Sequence, residues 1–169
     1  ANNGIGWTTV LHGLNISAMT AYGGNIFAGA AATSGIGFRS ADNGATWTSI
    51  GADLGLPTGS QATSLATCGN ILLAGISSND VLLSENNGDR WDPVNTGLPM
   101  NGTIVSLTVL KTKIFASTSE GIYLSIDTGR SWTPFNTGFD STDATSTPRL
   151  VASDTVIFAG TCRVVSYAG

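Results

Sequence analysis

Four tryptophans, Trp7, Trp47, Trp91 and Trp132, follow one another at nearly equal intervals of 40, 44 and 41 residues. Spacing of this kind marks an internal repeat, and a repeat constrains architecture more tightly than any single motif does. Three residues before each Trp stands a Gly (Gly4, Gly44, Gly88, Gly129), and two before that an Asn or Asp (Asn2, Asp42, Asn86, Asp127). Two residues further upstream come Ser40, Ser84 and Ser125, each after a short run: 37–39, 81–83 and 122–124. Earlier again lie 26–29, 72–75, 114–117 and 157–160, each reading as a buried strand. Segments around Ala18-Met19, Ser64-Leu65-Ala66, Ser106-Leu107-Thr108 and Arg149-Leu150-Val151 open the unit. One unit thus holds four short antiparallel strands, A to D, with D beginning at the Trp.

Two prolines fix the order of those strands. Pro93 and Pro134 each fall two residues after a Trp. Proline cannot donate to a ladder, so D lies at the outer edge, where the prolines also discourage pairing with other chains. The chain then crosses to the next unit through Gly13-Leu14, Gly55-Leu56-Pro57, Gly97-Leu98-Pro99 and Gly138-Phe139. Glycine at 22 residues, with 18 Ser and 22 Thr, agrees with turns and hydroxylated strands rather than helices. A four-stranded sheet every 40–45 residues predicts an all-β chain folded as a β-propeller of four four-stranded antiparallel blades. The blades are expected at residues 16–51, 62–95, 103–137, and 148–169 completed by 1–11. The sequence opens on a D strand (7–11) and closes on a C strand (163–166), which predicts a ring closed by pairing of the N-terminal strand with the C-terminal strands.

The turn before each Trp carries a resemblance. Ser-x-Asp-x-Gly-x-Thr-Trp is complete at Ser40, Asp42, Gly44, Thr46 and Trp47, and changes only Thr to Ser at Ser125, Asp127, Gly129, Ser131 and Trp132. This pattern resembles the Asp box, or bacterial neuraminidase repeat, of sialidases, sortilin-type receptors and secreted bacterial propellers. The third copy departs from it, with Ser84, Asn86, Gly88 and Trp91 kept and Arg90 in place of Thr; the N-terminal copy keeps Asn2, Gly4 and Trp7. The motif has a physical account that needs no ligand. The Asp or Asn accepts backbone N–H bonds across a tight turn, the Gly supplies a positive φ, and the Trp packs between blades. The box carboxylates are therefore expected to be structural, and no catalytic residue is assigned.

The chemistry available to the chain is sparse. A sialidase, the enzyme the resemblance suggests, needs an arginine triad, a Tyr nucleophile with a Glu, and an acid Asp. Here Arg39, Arg90, Arg130 and Arg163 sit on separate units, Pro148-Arg149-Leu150 only faintly matches the family's arginine motif, Glu85 lies inside a box and Glu120 in a hairpin. His12 is the single histidine and aligns with Thr96 and Thr137 in an exit loop, so neither a Ser-His-Asp triad nor a closed zinc shell can be assembled from this inventory. Asp140 and Asp143 lie in a polar loop without a calcium-loop spacing. No metal or cofactor is expected.

Cys68 and Cys162 belong to different blades and to hairpins on opposite faces, so an internal bridge is not expected. They either pack as small hydrophobes or make an intermolecular contact. Asn15-Ile16-Ser17 and Asn101-Gly102-Thr103 are glycosylation acceptors by pattern. Seven Lys and Arg against eleven Asp and Glu give a net charge of -4, which argues against nucleic acid, and no apolar run is long enough to cross a bilayer as a helix. A first residue other than Met suggests a processed, secreted product. The functional expectation is a non-catalytic extracellular structural or adhesive propeller, self-assembling into a fibre or surface layer, with the chain itself or surface glycans as partners. The alternative is a glycan-binding, lectin-like module. Tyr22, Tyr123 and Tyr167 do not fall at equivalent repeat positions, which weakens that alternative.

Overall fold

The computed structural model describes residues 8–30, 35–57, 59–78, 80–137 and 148–160, and the backbone of 164–168. Fifteen strands and no helix make up the described part. The first sheet is β1 (Ile16–Tyr22), β2 (Asn25–Ala30), β3 (Gly37–Ser40) and β4 (Thr48–Ile50), in that order across the sheet. The second is β5 (Ala62–Cys68), β6 (Ile71–Ile76), β7 (Val81–Ser84) and β8 (Asp92–Pro93). The third is β9 (Ile104–Leu110), β10 (Lys113–Thr118), β11 (Gly121–Ser125) and β12 (Thr133–Pro134). The fourth holds three strands, β13 (Arg149–Ser153), β14 (Val156–Gly160) and β15 (Val164–Ala168). Every pairing is antiparallel between consecutive strands, as short hairpins dictate.

The innermost strands carry the stacking of sheet on sheet: β1 packs on β5, β5 on β9 and β9 on β13. Their hydroxyls stitch these neighbours together. Thr63 Oγ1 donates to the Ile104 carbonyl at 2.6 Å, the Leu107 amide donates to Ser64 Oγ at 2.8 Å, and the Leu150 amide to Ser106 Oγ at 3.2 Å. Three apolar clusters fill the joints between successive sheets. Phe27, Ile36 and Ile50 of the first sheet meet Leu72, Leu82 and Trp91 of the second. Leu73, Val81 and Leu83 of the second meet Ile104, Leu107 and Trp132 of the third. Phe115 and Ile122 of the third meet Ile157 and Ala159 of the fourth.

One detail departs from the sequence reading. The outer strands begin one residue after the Trp rather than at it, and two of the three are only two residues long. Pro93 and Pro134 occupy the last positions of those short strands, opposite Leu82 and Tyr123, and the amides of Val94 and Phe135 that follow them still donate to the Val81 and Ile122 carbonyls. The expected ring closure falls on residues 1–11 and 163–166, of which 1–7 and 163 lie outside the described residues; residues 8–11 carry no strand. Among the described residues no packing comparable to the other three joints connects β13 to β1.

Candidate functional site

The repeated turn is the most elaborated polar constellation in the chain. Ser40 Oγ accepts the Gly44 amide at 2.8 Å and donates to Asp42 Oδ1 at 2.8 Å. Asp42 Oδ1 accepts the Thr46 amide at 2.8 Å, its Oδ2 accepts the Thr46 hydroxyl at 2.6 Å, and Trp47 Nε1 donates to the Gly44 carbonyl at 3.1 Å. Ser125, Asp127, Gly129 and Ser131 repeat the first four of these bonds. There the ring turns elsewhere: Trp132 Nε1 donates to the Val94 carbonyl of the preceding sheet at 2.8 Å.

The middle copy shows what the motif requires. Asn86 Oδ1 accepts both the Ser84 hydroxyl at 3.0 Å and the Arg90 amide at 2.8 Å, so one amide oxygen suffices and the second carboxylate oxygen serves only the residue before the Trp. Hydrogen bonding also sets the acidity of the two aspartates. The Thr46 hydroxyl and amide, then the Ser40 hydroxyl, hold Asp42 at about 2 against an ordinary 3.8. For Asp127 burial pushes upward, but the bonds from Ser131 and Ser125 outweigh it and leave the group at about 2. A carboxylate held ionised by these bonds lacks the proton of a general acid and is a weak base.

Backbone strain explains the spacing. The residue after the Asp or Asn and the Gly that follows both have positive φ: Asn43 and Gly44, Asn87 and Gly88, Thr128 and Gly129. Asparagine tolerates that region better than most residues, and two of the three copies use it. The sequence reading missed this position, although the repeated Asn was its signal. It also missed Asn95 and Asn136, each four residues after a Trp. Their Oδ1 atoms accept the amides of Val81 and Ile122 at 2.8 Å, clamping the start of β7 and of β11 where the outer strand has run out.

The arginines are dispersed. Arg39 pairs with Asp89 of the next turn and donates to the Asn87 carbonyl, Arg130 reaches back to Glu85 at 2.6 Å, Arg90 pairs with Asp92 at 2.9 Å, and Arg149 donates to the Val105 carbonyl. Arg39 and Arg130 thus tie three successive turns together along one rim; Arg163 lies outside the described residues. A shallow groove of about 300 Å³ opens beside the middle turn, between residues 51–54 and 89–92, lined by Asp53, Asp89, Arg90, Trp91 and Asp92. The matching positions of the third sheet are Arg130, Ser131 and Thr133, so the lining is not repeated.

Cys68 ends β5 at 7% exposure inside the joint between the second and third sheets, and burial pushes its thiol pKa up. Of the two readings, this burial agrees with packing as a small hydrophobe; Cys162 lies outside the described residues. Asn15 and Asn101 are both exposed, as is His12. Asn2, Gly4, Trp7, Asp140 and Asp143 lie outside the described residues, among which no cluster of His, Cys, Asp and Glu could hold a metal.

No family model and no curated protein matches the chain. Solved structures do. The computationally designed Ika4 protein is 15% identical, with 93% of this chain covering 92% of that one at a TM-score of 0.67. The fold is a β-propeller. The extracellular domain of the hybrid two component system BT4673 from B. thetaiotaomicron is 16% identical over 91% of this propeller, at a TM-score of 0.69. The Niastella koreensis GH74 enzyme is 18% identical over 86% of it, at 0.65. This propeller spans only 21% and 26% of those two chains. A designed protein, a sensor domain and an enzyme share the architecture, so the architecture itself selects no activity.

Proposed function

We propose that this chain is a secreted propeller of the Asp-box type that works without catalysis, as a structural or adhesive module whose partner is a further copy of itself. One observation carries the reading: the conspicuous acidic residues of the repeat are consumed by their own turns, and the described arginines are spread along the rim in separate pairs. Chemistry that could act on a substrate is instead used to fix loops and bind blade to blade. An extracellular setting agrees with the exposed acceptors Asn15 and Asn101 and with the extracellular domain among the similar structures. Electron microscopy of the chain at rising concentration, beside a fluorogenic sialoside assay, tests the reading. Ordered assemblies with no turnover support it. Isolated single particles at every concentration, or turnover abolished by Arg149→Ala, would sink it.

A glycan-binding role is the second reading, favoured by the groove between residues 51–54 and 89–92, where Arg90, Asp53 and Asp92 offer the donors and acceptors a sugar needs. A glycan array answered by Arg90→Ala would support this role, and an empty array would remove it.

A further inference from the structure

At each joint one sheet projects a large apolar side chain from its second strand into the next sheet. Phe27, Leu73 and Phe115 hold this position, and all three are at most 2% exposed. The receiving sheet answers with a leucine from its inner strand, Leu65, Leu107 or Leu150. At the first two joints it also answers with the glycine and Trp of its turn. A side chain placed on Gly88 would strike the Phe27 ring at 2.6 Å, and one placed on Gly129 would reach Leu73 at 3.1 Å. The interface is therefore directional, a projecting face on a receiving face, repeated three times.

Both faces have a fourth copy that the described residues leave partly open. Phe158 stands where Phe27, Leu73 and Phe115 stand, yet is 39% exposed, and its cross-strand partner Val151 is 60% exposed. Met19 stands where Leu65, Leu107 and Leu150 stand, and is 60% exposed. A side chain on Gly44 would meet only the ring of Trp47, at 3.9 Å. Trp47 itself is partly exposed, whereas Trp91 and Trp132 are 4% and 3% exposed. The first sheet thus presents an empty receiving face and the fourth an empty projecting face. Among the described residues of one copy, no packing comparable to the other three joints brings them together. The hydroxyl stitching is also missing there: Pro148 and Arg149 occupy the positions of Thr63 and Ser64. A joint made by these faces is apolar and separable.

We propose that two copies of this chain join head to tail, Phe158 and Val151 of each against Met19, Gly44 and Trp47 of the other, closing one ring from two four-sheet halves. A projecting-on-receiving contact is heterologous, and it makes a closed assembly when the rotation it imposes returns to its start. The proposal rests on the self-association part of the functional reading and names the surface that performs it.

Sedimentation velocity over a concentration series tests it with Met19→Glu, Phe158→Lys and their equimolar mixture. Both side chains are exposed within one copy, so each variant folds, which circular dichroism and thermal unfolding check. The wild type reaches twice 17.2 kDa and stops there. Each variant alone remains a single copy at concentrations at least about 100-fold above the wild-type midpoint, because a charge is forced into an apolar joint. The mixture recovers the pair, since one joint is then wild type and the other sets Glu against Lys. A mixture that fails to recover refutes the head-to-tail joint, and masses that grow beyond the pair refute the closed ring. Self-association that persists in both variants refutes this surface while leaving the functional reading intact. A wild type that stays single at every concentration overturns both.

Discussion

The three turn glycines offer a test of how the blades are held together. Gly44, Gly88 and Gly129 share nearly one backbone conformation, with φ of 91°, 82° and 90°, so substituting Ala imposes a common cost of about 1–2 kcal/mol at each. What differs is the neighbour. The added methyl group meets almost open space at Gly44, a terminal methyl of Leu73 at 3.1 Å at Gly129, and the ring of fully buried Phe27 at 2.6 Å at Gly88. A leucine methyl can yield by a few tenths of an ångström, adding less than about 1 kcal/mol, whereas an aromatic ring held in a packed joint cannot swing aside without overpacking that adds about 1–3 kcal/mol. The expected order of destabilisation is Gly44→Ala, then Gly129→Ala, then Gly88→Ala, with totals near 1, 2 and about 3–4 kcal/mol.

Equilibrium urea unfolding followed by the fluorescence of Trp91 and Trp132 reads this order. The measurement belongs in the Met19→Glu background, so that a second copy does not cover Gly44. An unchanged m-value shows that the same transition is being compared. Three equal losses would mean that the glycines answer only to the turn, and that the joint is not packed against it. A larger loss at Gly44 than at Gly88 would refute the reasoning outright.

Thr128 is the β-branched residue at a position where the other turns use Asn, with φ of 62°. Thr128→Asn relieves that strain and is expected to raise stability by about 0.5–1 kcal/mol, seen as about 1–4 °C in the thermal midpoint. Trp132→Phe strands the Val94 carbonyl and lowers stability by about 1–3 kcal/mol in urea unfolding, while Trp47→Phe, whose ring is partly exposed, costs less. Iodoacetamide modifies Cys68 only as the fold opens, so labelling tracks urea unfolding; rapid labelling in buffer would contradict its burial. Asp42 and Asp127 have folded pKa values near 2, below the ordinary 3.8, so the stability they contribute is present above about pH 4 and is lost as pH falls toward 2. Asp42→Asn with Asp127→Asn should flatten the urea midpoint across that interval, and an unchanged slope would show that the box carboxylates do not carry it.

Much of the blade was legible because its elements are local. Two prolines identify the outer strand, the apolar runs identify the second and third strands, and the Ser-x-Asp-x-Gly-x-Thr-Trp turn carries its hydrogen bonds within eight residues. What escaped was everything that depends on a neighbouring sheet or on a position without a fixed residue. Ser64 and Ser106 look like ordinary strand residues until the next sheet's amide is found on each hydroxyl. Arg39 and Arg130 look like unconverged arginines until their partners prove to be acidic residues of adjacent turns. Cys68 looks like a hairpin residue until the third sheet closes over it.

The repeat explains why the ends matter more than any single site. Copies of one blade share one interface, and a series that does not close on itself leaves its first receiving face and its last projecting face without a partner. In solenoids such ends are capped by polar residues. Here the corresponding positions are Met19 and Phe158, apolar and exposed, beside a turn glycine that leaves room for a ring. The polar stitching, by contrast, stops at Pro148 and Arg149. A face that keeps its apolar contacts while losing its hydrogen bonds is suited to a contact between folded copies rather than to a permanent joint within one, because it can remain exposed before the partner arrives without leaving amides or hydroxyls unpaired.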